Sequence, residues 1–482
     1  MRRPDLSSLL RENLWTRLWN IYSEGAGMVK VIFKAAVLFL LSFVIVPVSG
    51  QTLRDEIRDD IYKAGGVYYH YTCDVPDHAS VPQGYEPFYI SHYGRHGSRW
   101  LAKESDYSDI KEMLDSAAAA GILTPLGEDV YSRVKTIYED AAGRAGALTP
   151  LGVRQHKDIA GRMIDAFPQV FEGEARINAS ATTYPRCILS MTAFCERLKE
   201  ENPSLQIEKA ADLRTTRILN FFHNEANPEI CDDFRKFVQG GQWQEDYRNM
   251  APVYVKTDRL MSSLFTDGGA FAGDRAVDFV HGLYRLAADV QSTELDGKVT
   301  LFDVFTLEEL YLQVIYDNYY FFVLDGPSAV NKGASAYYAR ILLEDIISRA
   351  DEAIGGNGIS ADLRFGHDSS ILPLMTLLQF REFRFDSEET DPALVAENWS
   401  LHELTPMAAN IQFIFYRPVS SSCTQPAGKG PDSVLVKVMH NEREMHLPVR
   451  EYSWPYYRWS DVKDFYLSYI SSLSYPESGI GD

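Results

Sequence analysis

One short run of the sequence combines a nucleophilic side chain with two cations that can bind an anion. In Arg95-His96-Gly97-Ser98-Arg99 the imidazole of His96 stands between two guanidinium groups, one residue before it and three residues after it. Arginine presents planar pairs of donors that match phosphate oxygens, and glycine lets a backbone come close to a ligand. The run therefore predicts a phosphate-binding loop in which His96 attacks the phosphorus atom.

Three more residues complete a set for phosphoryl transfer. Arg186 opens a predicted helix directly after a predicted strand, where its guanidinium and the helix N-terminus can face one anion. His367 and Asp368 follow another predicted strand. We expect His367 to add a fourth donor to the phosphate and Asp368 to protonate the departing alkoxide. A histidine nucleophile divides the hydrolysis into two displacements, and the arginines hold the charge on the equatorial oxygens.

Each of these pieces also has a purely structural interpretation. Arg186 alone is typical of a surface ion pair, and a His-Asp pair after a strand is typical of a polar turn. A metal site at His92 and His96 is not expected, because an interval of four along a strand separates them by roughly 13 Å. The joint occurrence of all the pieces, each after a predicted strand, favours the phosphate site.

The elements that must position these residues are predicted from hydrophobic patterns. Apolar and aromatic runs predict strands at residues 88–93, 175–183, 363–365, 411–416 and 434–439. In α/β sheets, ligands bind at the carboxyl ends of the strands. The first three of these strands would therefore deliver the three motifs to one edge of a sheet.

Two predicted helices, 128–142 and 153–167, follow the same phrase Leu-Thr-Pro-Leu-Gly, at 123–127 and 148–152. Threonine as the cap and proline just inside the helix explain the phrase locally. Residues 204–354 have mainly helical patterns. The sequence therefore predicts an α/β fold in which residues 51–203 and 355–482 form the core and 204–354 an inserted helical subdomain.

The first 50 residues are predicted to be a leader. Lys30 and Lys34 precede an apolar run at 35–46, and small residues follow up to Gly50, as in a secretory signal peptide. The alternative is a membrane anchor, but this run is shorter than the ~20 residues that span a bilayer. We expect export to the periplasm or the medium, cleavage near Gln51, no membrane span in the mature chain, and translation from Met28, with 1–27 an upstream extension.

Composition limits the partners. The chain of 482 residues has 47 basic and 67 acidic residues, a net charge of −20, which argues against a nucleic-acid partner. A small phosphorylated substrate would need a locally positive pocket. The five cysteines are an odd number, and their pairing stays open. Oligomeric state is not indicated.

These motifs resemble those of the histidine acid phosphatases, branch two of the histidine phosphatase superfamily. The resemblance rests on Arg-His-Gly-x-Arg near the N-terminus, an arginine about a hundred residues later, and a distal His-Asp, and it extends over nearly the whole mature chain. It implies a phosphoglycerate-mutase-like central sheet flanked by helices, with a helical insertion, no metal or other cofactor, and a phosphohistidine intermediate. It also implies that His96 is the nucleophile and Asp368 the proton donor, and that the phosphate pocket is Arg95, Arg99, Arg186 and His367.

Within that family, Tyr184-Pro185-Arg186-Cys187 followed by Ser190 and Ala193-Phe194 is similar to bacterial phytases and multiple inositol polyphosphate phosphatases. The latter usually carry His-Ala-Glu where this chain has His367-Asp368. Three interpretations stay open: a phosphatase for inositol polyphosphates or other phosphorylated polyols, a nonspecific acid phosphatase, and an inactive protein that binds a phosphorylated ligand. Candidates for binding distal phosphates are Lys103, Arg144, Arg214 and Arg217, each of which could equally be a solvated surface charge.

Overall fold

The centre of the protein is one mixed sheet of eight strands. In the computed structural model, which describes residues 52–72, 78–223, 225–239, 242–267, 271–383, 385–419 and 433–474, the strand order is β3-β2-β4-β1-β5-β6-β7, with β8 paired to β6. The strands are β1 (Tyr85–Arg95), β2 (Arg176–Ala181), β3 (Gln206–Ala210), β4 (Ile359–Gly366), β5 (Asn410–Pro418), β6 (Leu435–His440), β7 (Arg443–Glu444) and β8 (Tyr457–Arg458).

The register of the parallel strands brings the motifs to one edge. β1 pairs in parallel with β4, so that Arg95 lies opposite Gly366, and β2 pairs in parallel with β4, so that Ala181 lies opposite Phe365. The residues after these three strands are the candidate site residues. The predicted meeting of the motifs at the carboxyl ends of neighbouring strands is confirmed.

Sixteen α-helices surround the sheet in the described part of the chain. They are α1 (Leu53–Asp59), α2 (Ser105–Ala119), α3 (Pro125–Ala141), α4 (Pro150–Ala166), α5 (Pro185–Glu201), α6 (Leu213–Leu219), α7 (Pro228–Gln239), α8 (Gln242–Tyr254), α9 (Asp258–Leu264), α10 (Asp274–Val290), α11 (Leu307–Asp325), α12 (Ala334–Ile354), α13 (Asp368–Leu378), α14 (Pro392–Asn398), α15 (Leu401–Leu404) and α16 (Trp459–Ser472). Thr124 and Thr149 cap α3 and α4 as predicted, each accepting a hydrogen bond from the glycine three residues later.

The segment predicted to be an inserted helical subdomain begins with a strand. Gln206–Ala210 forms β3 at the edge of the central sheet, where it pairs with β2. The remainder is helical, and its buried Leu283 and Leu342 belong to the same apolar cluster as Tyr89 and Tyr93 of β1. These helices therefore build the core on one face of the sheet.

The opposite face of the sheet packs on helices α4 and α5. Ile90 of β1 and Leu363 of β4 share an apolar cluster with Ile159 of α4 and Phe194 of α5. Residues 89–95 of β1 are all buried, without alternation, as expected for a strand that is covered on both faces. The sheet is therefore covered by helices on both sides, in agreement with the predicted α/β class.

Residues 1–50, predicted to be an upstream extension and a signal peptide, lie outside the described residues, so the export signal stays a prediction. Among the helices that are described, none combines the length and the apolar character needed to cross a membrane. Cys187 and Cys195 are buried free thiols, and Cys231 is also buried. Cys73 and Cys423 lie outside the described residues.

Candidate active site

The backbone of three strands fixes His96. The Arg95 amide donates to the Ala409 carbonyl at 2.8 Å, and the His96 amide donates to the Gly366 carbonyl at 2.9 Å. The Ala408 amide in turn donates to the His96 carbonyl at 3.0 Å. His96 is therefore held at the end of β1, between the end of β4 and the start of β5.

The tautomer of His96 follows from one hydrogen bond. Nδ1 lies 2.9 Å from the Gly97 carbonyl oxygen, which only accepts, so Nδ1 carries the proton and Nε2 has the free electron pair. Burial, together with the charges of Arg186, Arg95 and Arg99, lowers the pKa of His96 well below its usual value. The ring is therefore neutral at physiological pH, and Nε2 is a competent nucleophile.

Arg95 is fully buried and is anchored at both ends of its guanidinium. Nη1 donates to the Val67 carbonyl at 2.7 Å and also to the Thr405 carbonyl. Nη2 lies 2.8 Å from Oδ2 of Asp368. Burial lowers the pKa of Arg95 to about 10, so the group stays cationic at neutral pH. Arg95 therefore joins the end of β1 to the first residue of α13.

Arg99 and Arg186 bring two more guanidinium groups to the same place. Arg99 donates from Nη1 to the Trp100 carbonyl at 2.9 Å, and its guanidinium lies 5.7 Å from the centre of the Tyr68 ring. Buried Nε atoms of Arg95, Arg99 and Arg186 have no hydrogen-bond partner among the described residues. Buried unsatisfied donors are costly, and three of them around one imidazole indicate an anion-binding site.

His367 contacts the group through its ring. The ring centres of His367 and His96 are 5.7 Å apart. Nδ1 accepts from Nη2 of Arg186 at 3.4 Å, so Nε2 carries the proton and donates to Oγ1 of Thr182 at 3.1 Å. Burial lowers the pKa of His367 to about 3, so the ring is neutral. In this geometry His367 positions Arg186, and it could donate to a phosphate only with a proton on Nδ1.

Asp368 is the first residue of α13 and is ionised in this arrangement. Oδ1 accepts from the Ser369 amide at 2.9 Å, and Oδ2 is the partner of Arg95. Burial raises the pKa of Asp368, but the charges of Arg95 and Arg99 outweigh burial and lower it to about 2. Asp368 can donate a proton only when a bound anion raises that pKa.

Gly97 has a structural reason in addition to the one expected from the sequence. A Cβ on Gly97 would lie 2.5 Å from the Gly152 carbonyl oxygen, so the residue is small because α4 begins against Arg95–Arg99, the catalytic loop. The Gly97 amide also donates to Oγ of Ser190 at 3.1 Å. Gly97 therefore permits the close approach of a second backbone, and its approach to a phosphate stays a prediction.

Gln155 of α4 and Thr149, the residue that caps α4, hold the loop. Gln155 accepts from the Ser98 amide at 2.8 Å and donates to the Ser98 hydroxyl at 3.0 Å. Thr149 donates to the Ser98 carbonyl from its amide at 2.9 Å and from its hydroxyl at 3.0 Å. The only signal in the sequence was the repeat of Leu-Thr-Pro-Leu-Gly. It indicated that a helix starts there but not which segment the helix start contacts.

The candidates for distal phosphates differ in what they contact. Arg144 is paired with Oδ1 of Asp140 at 2.8 Å, and its guanidinium lies 4.4 Å from the centre of the Trp100 ring. Lys103, Arg214 and Arg217 are exposed. Arg144 is therefore largely neutralised in place.

Residues that could bind a metal ion occur at two places outside the phosphate site. His92 is buried between the rings of Phe194 and Phe365, at 5.3 and 5.4 Å between ring centres. Potential ligand atoms of Glu56, His402 and Glu403 lie within 4.8 Å of one another, but Nζ of Lys63 is 2.9 Å from Glu56. One of the three potential ligands is therefore already paired with a cationic side chain.

Comparisons with known proteins identify the family and the fold. Residues 94–441 match the family described as histidine phosphatase superfamily (branch 2). No curated protein sequence matches the chain. The crystal structure of the Bifidobacterium longum multiple inositol polyphosphate phosphatase, in complex with inositol hexasulfate, is similar with a TM-score of 0.69 at 17% identity, covering 86% of this chain and 99% of that one.

The D. castellii phytase has the same fold, with a TM-score of 0.63 at 14% identity and coverage of 88% of each chain. These similarities confirm the predicted fold, a central sheet flanked by helices as in histidine phosphatases. With the match over most of the sequence, they show that the chain belongs to branch 2 of the histidine phosphatase superfamily and is a phosphatase.

Proposed function

We propose that this phosphatase hydrolyses phosphomonoesters through a phosphohistidine on His96, and that its substrates are inositol polyphosphates or other phosphorylated polyols. The observation that carries the proposal is the Nδ1 bond of His96 to the Gly97 carbonyl, which leaves Nε2 as a neutral nucleophile among three guanidinium groups. A neutral imidazole keeps its electron pair, and the guanidinium charges stabilise the oxygens of the transition state.

In the first step, Arg95, Arg99 and Arg186 bind the nonbridging oxygens. Nε2 of His96 forms a bond to phosphorus while the bond to the leaving oxygen breaks in line. The leaving alkoxide takes the proton of Asp368. The phosphate dianion raises the pKa of Asp368 from its low value in the free site, so that the carboxyl is protonated when the substrate is bound.

In the second step, a water molecule attacks the phosphorus atom of phosphohistidine. The carboxylate of Asp368 takes the proton of that water, since the residue that acted as acid acts as base in the return step. The bond between Nε2 and phosphorus breaks, and His96 returns to its neutral tautomer. Inorganic phosphate leaves, and the site is restored.

The substrate class is supported by the surroundings of the pocket. Gly146 lies close to both Ala102 and Arg186, since a Cβ on Gly146 would be 3.4 Å from the Ala102 carbonyl and 3.8 Å from Nη1 of Arg186. Lys103, the residue after Ala102, is exposed, and we propose that it binds a second phosphate of the substrate. The similar fold of a multiple inositol polyphosphate phosphatase and a phytase supports the same class.

The alternative substrate range is that of a nonspecific acid phosphatase. Phosphate release from a panel that includes inositol hexakisphosphate, a sugar phosphate and p-nitrophenyl phosphate separates the two. We expect inositol hexakisphosphate to be preferred in kcat/KM, and Lys103→Met to weaken that preference while leaving p-nitrophenyl phosphate unaffected. Equal kcat/KM across the panel in both proteins would assign the nonspecific activity.

The nucleophile is tested by His96→Ala, with His446→Ala as a matched histidine control outside the site. We expect His96→Ala to abolish turnover and to remove the acid-labile phosphate that is trapped on the wild-type protein by quenching. His446→Ala should keep both. Turnover of His96→Ala within about tenfold of wild type would contradict the covalent mechanism, because His96 would then not be the nucleophile.

The acid is tested by Asp368→Asn. We expect release of a poor alkoxide leaving group to slow by about 10²-fold or more. Release of p-nitrophenolate should be affected far less, because that anion departs without a proton. Equal slowing of both substrates would mean that Asp368 positions Arg95 and that another group is the acid.

A further inference from the structure

A carboxylate outside the catalytic motifs is bound to the catalytic loop. Asp289, near the end of α10, is 2% exposed, and its Oδ2 accepts from the Leu101 amide at 3.1 Å. The hydroxyl of Tyr107 also donates to Oδ2, at 2.9 Å, and lies 2.6 Å from the Leu101 amide. Asp289 therefore connects α10 to the residues that directly follow the catalytic loop.

This contact acts on Arg99. Leu101 is two residues after Arg99, and Arg99 donates to the carbonyl of the residue between them, Trp100. Because both partners of Asp289 are buried, the bond fixes the backbone from which the Arg99 side chain extends. The guanidinium of Arg99 also interacts electrostatically with the carboxyl of Asp289.

The charged and titratable groups around Asp289 come from several elements. Arg99 faces it from the catalytic loop, Tyr107 from α2, and Arg285 from its own helix. Arg285 is itself bound to Oδ1 of Asp106 at 3.1 Å and to the hydroxyl of Tyr68 at 3.2 Å. Arg285 is thus already paired with other groups. Of the two arginines, Arg99 has the larger effect on the pKa of Asp289.

The carboxyl of Asp289 titrates near neutral pH. Burial raises its pKa to about 7, while the charge of Arg99 and the hydrogen bond from Tyr107 limit the rise. Its Oδ1 is buried and has no hydrogen-bond partner among the described residues, so a proton there breaks no existing bond. Both hydrogen bonds to Oδ2 are kept in the protonated state.

We propose that Asp289 is a positioning residue for Arg99, and that binding of an anion to Arg99 is coupled to the uptake of a proton by the Asp289 carboxyl. The proposal rests on the proposed function, which places Arg99 in the phosphate pocket. An anion bound at Arg99 offsets the positive charge that stabilises the ionised form of Asp289. The anion therefore favours the protonated form of the Asp289 carboxyl. By linkage, the neutral acid favours the anion to the same degree.

The direction of the pH dependence follows. Below the pKa of Asp289 in the free protein the carboxyl is already neutral, and anion affinity is highest. Affinity falls as the pH rises from that pKa to the higher pKa of the complex, and is constant above it. Each unit between the two values changes the affinity tenfold.

The test is the binding of inorganic sulfate, whose own charge does not change with pH in the range from 6.5 to 9.5. Each protein in this test also carries Asp368→Asn, because a bound anion raises the pKa of Asp368 as well and would add a proton uptake of its own. In that background we expect the affinity to fall by about tenfold over this range, for a pKa difference of one unit at Asp289. Calorimetric titration in buffers of different ionisation enthalpy should show proton uptake. In Asp289→Asn, which keeps an acceptor for Leu101 and Tyr107, the affinity should be independent of pH and the uptake should disappear.

Tyr107→Phe is the second variant. It keeps the carboxyl but removes a hydrogen bond that lowers the pKa of Asp289, so the fall in affinity should move to higher pH. A fall that is unchanged in Asp289→Asn would overturn the inference. If Asp289→Asn does not fold, a fall that is unmoved in Tyr107→Phe would do the same. Wild-type protein that binds no sulfate would contradict the phosphate pocket itself, and with it this inference.

Discussion

The two Leu-Thr-Pro-Leu-Gly segments have the same local structure and different neighbours. In the first, Thr124 donates to the Leu264 carbonyl from its amide at 2.9 Å and to the Ser263 carbonyl from its hydroxyl at 2.6 Å. In the second, both groups of Thr149 donate to the Ser98 carbonyl. Each helix start thus binds the backbone of another segment, α9 in one case and the catalytic loop in the other.

The glycine that ends each phrase permits the same close approach. A Cβ on Gly127 would lie 2.2 Å from the Leu264 carbonyl, and a Cβ on Gly152 would lie 2.4 Å from the Ser98 carbonyl. Real Cβ atoms do not approach that closely, so either substitution forces two backbones apart. The same type of helix start therefore contributes to stability at α3 and to the geometry of the active site at α4.

The largest expected difference is between Gly152→Ala and Gly127→Ala. Displacing the catalytic loop moves His96 and Arg99, and a shift of about 1 Å can cost about 10²-fold in rate. We expect Gly152→Ala to lower kcat by about that factor on p-nitrophenyl phosphate. Gly127→Ala should lower the melting temperature and leave kcat of the folded protein within about twofold, because its neighbour is α9.

The gain in helix propensity from glycine to alanine, about 1 kcal/mol, works against the loss of stability in both variants, so the melting temperature understates the clash. Equal kcat in the two variants would mean that the catalytic loop does not depend on α4 for its position. A loss of kcat in Gly127→Ala would mean that α9 communicates with the active site.

The next turn of the two helices differs in chemistry. Gln155, three residues after Gly152, forms two hydrogen bonds with Ser98, whereas Val130, three residues after Gly127, is buried in the apolar core. We expect Gln155→Leu to lower kcat about tenfold, because a hydrogen bond of 1–1.5 kcal/mol no longer fixes the loop. Val130→Ala should lower the free energy of unfolding by about 2 kcal/mol and leave kcat unchanged.

The readouts keep the two roles apart. Activity is measured per folded molecule, and unfolding is followed in urea, so a change in stability does not enter kcat. A tenfold loss of kcat in Val130→Ala would contradict the division between α3 and α4, and Gln155→Leu with wild-type kcat would remove Gln155 from the support of the loop.

Local patterns predicted much of this molecule, because strands, helix starts and their capping residues depend on nearby residues. The carboxyl ends of β1, β2 and β4 brought together His96, Arg186 and Asp368 as expected from parallel strands. β3 was missed, since Gln206–Ala210 is a short edge strand with little buried surface and no apolar run.

The remaining site residues depend on contacts between distant segments. Asp289 follows Leu101 by almost two hundred residues and stands in a helix with no motif around it. The contact between Gly97 and Gly152 is equally invisible, because each glycine has an adequate local explanation. A sequence therefore indicates which side chains do the chemistry more readily than which ones hold them in place.

The smallest expected effect concerns His156, four residues after Gly152, where the other helix has Tyr131. His156 is buried against Phe194 and Phe365, with ring centres 6.5 and 5.6 Å apart, and burial lowers its pKa to about 3. Tyr131 donates to Asp115 at 2.6 Å near the surface. Only the α4 position therefore carries a group that titrates on unfolding in mildly acidic solution.

The sign follows from the two states. The unfolded chain binds a proton at His156 below pH 6.5, while the native state does so only near pH 3, so stability is complete above pH 6.5 and is lost as the pH falls. That one proton costs at most about 1.4 kcal/mol per pH unit. Urea unfolding at pH 6.5, 5.5 and 4.5 should give a smaller loss for His156→Phe than for wild type, by about one proton in slope. Tyr131→Phe should keep the wild-type slope, and an unchanged slope in His156→Phe would mean that His156 is already charged in the native state.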